Sequence, residues 1–82
     1  MTDEAAAIFL ELLAEMARHR RVALESAEQA RAIQKRALAN YDTFAADEAA
    51  EDIAYSQGEV ATCDAVIAAI ARLTGIAPQT EG

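Results

Sequence analysis

The segment Ala39-Asn40-Tyr41-Asp42-Thr43-Phe44 decides the fold of this chain. No Gly or Pro precedes it, and the next one after it is Gly58. A single helix formed from the whole would span on the order of 110 Å at about 1.5 Å per residue. A rod of that length has no way to cover its apolar face without an equally long partner. The six residues hold the best turn chemistry in the chain. Asn40 suits a left-handed conformation at a helix C-terminus, and Asp42 or Thr43 suits the cap of a new helix. The reading is all-α: an antiparallel two-helix hairpin, with helices at about 3–40 and 44–74. Residues 1–76 form one domain, and 77–82 a disordered C-terminal tail.

Each arm carries one apolar row. The first runs Phe9, Leu13, Met16, Arg20, Ala23, Ala27, Ala30, Gln34, Ala37, Tyr41, alternating steps of four and three that fall on one helix face. It opens with large side chains and turns to alanine, which lets two helices approach closely. The second runs Ala49, Ile53, Ser56, Val60, Cys63, Ile67, Ile70, Thr74, with Val66 and Leu73 widening it near its end. Thr2 is placed to cap the first helix, with Asp3 and Glu4 at its positive end. Gly75 is placed to end the second in a left-handed cap, with Ile76 beside it and Pro78 blocking continuation. Gly58 inside the second arm predicts a close helix contact or a local kink.

Charge gives the register. The net charge is −7, but six of the seven basic residues lie between Arg18 and Arg36. From Ala37 to Ala71 there is no basic residue, while Asp42, Asp47, Glu48, Glu51, Asp52, Glu59 and Asp64 all fall there. A fold-back near residues 41–43 sets opposite one another residues whose numbers sum to about 84. Lys35 and Arg36 then face Ala49 and Glu48, and Arg18, Arg20 and Arg21 fall near Asp64. A basic arm meets an acidic arm, which selects pairing and register more than it adds stability.

The open end of the hairpin is over-supplied with apolar residues. Ile8, Phe9, Leu10, Leu12, Leu13 and Met16 cover roughly 200° of the first helix, and one neighbouring helix cannot cover that arc. Val66, Ile67, Ile70, Leu73 and Ile76 form a similarly broad stripe on the second. Two hairpins joined as a four-helix bundle would satisfy both, with a core of Phe9, Leu13, Met16, Ile53, Val60, Ile67 and Ile70. These open-end residues are the predicted partner interface, and a second copy of the chain the predicted partner, with another protein beyond it.

Little in the sequence points to chemistry. The sole His19 stands four residues after Glu15, but a di-iron bundle needs Glu and His three apart, and one His with one Cys makes no structural zinc site. Cys63 lies on the apolar row next to Asp64, a setting for a buried thiol rather than a reactive one. No phosphate loop, nucleotide fingerprint or nucleophile–base pair is present. The expectation is a protein with no cofactor, no metal and no enzymatic activity. Net negative charge argues against direct nucleic-acid binding. The apolar stretch Ala65 to Ala71 is far short of the roughly 20 residues a membrane span needs. The acidic start and the single cysteine fit a cytoplasmic protein, and the Ala- and Arg-rich composition suggests a bacterial or phage source. The predicted role is an adaptor or accessory subunit in a larger assembly. The alternative is an inhibitor whose acidic residues Asp47, Glu48, Glu51 and Asp52 occupy a basic, nucleic-acid-type site on another protein.

Overall fold

The computed structural model describes residues 2–76. They form two α-helices, α1 (Asp3–Ala39) and α2 (Thr43–Thr74), packed against each other as a hairpin. The tail expected at 77–82 lies outside the described residues.

The caps follow from the residues that bound each helix. The Thr2 hydroxyl accepts from the Ala5 amide at 3.2 Å and opens α1. The Asp42 carboxylate accepts from the Ala45 amide at 3.1 Å and opens α2. At the far end, Gly75 takes a left-handed φ of 73° and donates to the Ala71 carbonyl at 2.9 Å. Thr74 ties off the last turn, donating to the Ile70 carbonyl and accepting from the Ile76 amide.

The turn is one residue out from the expected position. Asn40 stays near the right-handed region at φ −97°, and Tyr41 takes the left-handed conformation at φ 58°. The Asp42 amide donates to the Ala37 carbonyl at 2.8 Å and the Tyr41 amide to Leu38 at 3.1 Å. That pair of bonds is the Schellman pattern, which needs its left-handed residue at Tyr41. α1 therefore uses Asn40 as its last, half-helical residue. Tyr41 cannot close the apolar row as its spacing predicts, and the residue is 92% exposed.

The rest of both rows forms the seam. Leu13, Ala23, Ala27, Ala30 and Ala37 are buried on α1, and Ala46, Ala49, Ser56, Cys63 and Ile70 on α2. Phe9, Met16, Arg20, Gln34, Ile53, Val60, Ile67 and Thr74 fill the same rows half-buried. The seven-residue spacing thus gives one continuous antiparallel interface. Its composition is lean. Alanine supplies most of the buried set, and no large side chain is fully enclosed among the described residues. α2 runs unbroken through Gly58, and nothing stands within 4 Å of where its Cβ would be. The close contact expected at that glycine is not present within the hairpin.

Candidate interaction surface

A pair of helices has a seam but no interior. The chain measures 58 × 19 × 15 Å. Much of what it exposes is apolar. Ile8, Leu10, Leu12, Val22, Leu24, Ile33, Leu38, Tyr41, Phe44, Tyr55 and Leu73 are large hydrophobic residues left open to solvent.

The predicted open-end residues divide into two groups. Leu13 and Ile70 are buried in the seam and hold the hairpin together. Phe9, Met16, Val66, Ile67 and Ile76 are half-buried, part seam and part surface. Ile8 (64% exposed) and Leu73 (80%) stand outside with Leu10 and Leu12. Removing an exposed leucine or isoleucine from water is worth about 1.5–3 kcal/mol, and the hairpin leaves that gain uncollected at its open end.

The helical repeat sorts the exposed residues by side. With the seam at two positions of each seven, Ile8, Leu12, Val22 and Ile33 lie on one flank of α1. Tyr55, Val66 and Leu73 lie on the same side of α2. Two shallow grooves run along this flank. Met16, His19, Tyr55, Gly58, Thr62 and Cys63 line one. Ser26, Gln29, Ile33, Asp52, Tyr55 and Glu59 line the other. Leu10, Leu24 and Leu38 lie on the opposite flank, and Tyr41 and Phe44 at the tip of the turn.

The Arg20 guanidinium meets Asp64 across the hairpin at 2.6 Å. On the outer surface of α1, Glu15 is shared by Arg18 at 3.3 Å and His19 at 3.7 Å. Among the described residues no group of three His, Cys, Asp or Glu side chains is placed to hold a metal ion. Cys63 is a buried free thiol. Asp47, Glu48, Glu51 and Asp52 are all exposed. They lie beyond the first turn of α2, which carries no acidic residue, so the favourable place at the helix N-terminus belongs to Asp42 instead. Among the described residues no ion pair within 4 Å joins them to Lys35 or Arg36, although the register sets these groups at the same level.

The aromatic tip, Tyr41 and Phe44, was not legible beforehand. The helical spacing placed Tyr41 on the apolar row, and only the turn geometry turns it outward. Among the described residues no helix is long and apolar enough to cross a membrane. No family model matches the chain, and no curated protein or solved structure matches it either.

Proposed function

We propose that this chain is a non-enzymatic interaction protein, a homo-oligomeric helical hairpin that serves as an adaptor or accessory subunit of a larger bacterial or phage assembly in the cytoplasm. The observation that carries this reading is the mismatch between the hairpin's core and its surface. Alanine supplies most of the buried seam positions, while Ile8, Leu12 and Leu73 stand exposed at the open end. Small domains with too little core of their own commonly gain it by association, and an exposed apolar patch marks a contact surface. Sedimentation velocity across the micromolar range tests it. A concentration-dependent dimer or higher oligomer is expected, and a monodisperse monomer throughout would overturn the reading.

A second reading is supported by the acidic residues of α2. Asp47, Glu48, Glu51 and Asp52 are exposed and have no cation within ion-pair distance among the described residues. On this reading they occupy a basic, nucleic-acid-type site on a target protein. Charge reversal of Glu48, Glu51 and Asp52 should then abolish capture of the target and its salt dependence. Capture that survives the reversal with unchanged salt dependence rules this reading out.

A further inference from the structure

We infer that the second copy docks on the flank bearing Ile8, Leu12, Val22, Ile33, Tyr55 and Leu73, with the two hairpins parallel, so that both open ends lie together and both turns lie together. This rests on the homo-oligomer reading above and adds to it a face, an orientation and a pair of cross-chain contacts.

The face follows from the distribution of exposed apolar groups. Six of the large exposed hydrophobics lie on this flank, against Leu10, Leu24 and Leu38 on the other.

The orientation follows from how that flank changes along its length. Near the open end it carries Ile8, Leu12, Val66 and Leu73, with the one carboxylate there, Glu15, already paired to Arg18 and His19. Near the turn it carries Ile33 and Arg36 on α1 with Glu48 and Asp52 on α2. An antiparallel pair of hairpins would set the charges of one copy on the apolar end of the other, stripping them of water without a partner. A parallel pair, related by a two-fold axis along the rod, sets like regions together. α1 of one copy then lies beside α2 of the second at equal height, and residues summing to about 84 again meet. Leu12 lies against Leu73 of the second copy. Arg36 lies against Glu48 of the second copy, and the two-fold repeats both contacts. Arg36 and Glu48 are level with each other in one chain but do not pair within it. Both project from the flank where the second copy would stand.

Two measurements test this. The first uses Arg36→Glu and Glu48→Arg separately, then mixed. Each variant alone faces two like-charge contacts per dimer and should self-associate roughly five- to twenty-fold more weakly. In the equimolar mixture every cross-chain contact is again opposite in sign, so heterodimers should recover the wild-type affinity. A mixture no tighter than its components overturns the inference. The second measurement places a spin label at Ala39→Cys, an exposed site near the turn, in a Cys63→Ala background. Parallel copies put the two labels within about 30 Å of each other, given helix spacings of 8–10 Å. A separation approaching the 58 Å length of the rod overturns the orientation and leaves the homo-oligomer reading standing. Loss of dipolar coupling in a protein of monomer mass overturns both. If the Cys63→Ala background fails to fold, the charge-swap mixture decides alone.

Discussion

Arg20 on α1 and Asp64 on α2 meet across the hairpin, the guanidinium Nε donating to carboxylate Oδ1 at 2.6 Å. The two numbers sum to 84, so this contact fixes the register that the charge distribution implies. Arg20 occupies a seam position that an apolar residue would otherwise fill. Its stem covers the seam while its head reaches the flank where Asp64 stands.

The pair is half-open to water, which limits its worth. A double-mutant cycle on Arg20→Ala and Asp64→Ala should return a coupling of about 0.5–1 kcal/mol, shrinking as salt is raised. The cycle is read from urea denaturation of the four proteins. A coupling indistinguishable from zero at low salt would mean that the apolar rows alone set the register.

Tyr41 offers a test of the turn. It holds a φ of 58° and is 92% exposed, so the ring has little packing to offset the cost of the left-handed conformation. Tyr41→Gly should stabilise the hairpin by about 0.5–1 kcal/mol, which for a domain of this size raises Tm by roughly 2–8 °C. Asn40→Gly is the control. Asn40 is not left-handed, so glycine there should be neutral or destabilising.

The two rows and the two helices were legible because periodicity is a property of the backbone, and 3.6 residues per turn leaves its mark in the order of residues. The choice between Asn40 and Tyr41 was not. Helix spacing continues through Tyr41 as readily as through Ala37, and asparagine is the commoner left-handed residue. What selects Tyr41 is where the Asp42 amide must sit to reach the Ala37 carbonyl, a three-dimensional condition that no spacing encodes. The open-end residues were recognisable as a group from the arc they cover. Their division into buried Leu13 and Ile70 and exposed Ile8 and Leu73 depends on which edge of the arc the second helix takes.

The alanine seam should resist enlargement. Ala27 is 2% exposed at the middle of the interface. Ala27→Leu pushes a branched side chain between helices spaced for methyl groups, and should cost about 1–3 kcal/mol. Ala32→Leu, at an exposed position of the same helix, should change stability by less than about 0.5 kcal/mol. Thermal denaturation of the two variants at equal concentration separates overpacking of the seam from a general effect of leucine in α1.

Gly58 should be replaceable. It sits in the interior of α2 with open space around the position of a Cβ. Gly58→Ala should therefore gain up to about 1 kcal/mol from helix propensity alone. If the change instead weakens self-association while leaving the circular dichroism of the hairpin intact, a second copy approaches the backbone there. The groove beside Met16, His19 and Tyr55 would then be part of the interface.

The open end gives the most direct test of association. Leu73 is 80% exposed, so Leu73→Glu removes almost nothing from the hairpin itself. In a two-fold assembly it places two carboxylates where two leucines would be buried, each worth about 1.5–3 kcal/mol. Self-association should weaken by at least about a hundredfold. Leu38→Glu makes the same chemical change on the opposite flank, at a side chain that is also more than half exposed. It should leave the dimer affinity near that of the wild type. Sedimentation equilibrium of both variants reads the result. If Leu38→Glu dissociates the assembly and Leu73→Glu does not, the second copy sits on the flank of Leu10, Leu24 and Leu38. The flank of Ile8, Leu12 and Leu73 would then be left for a different protein.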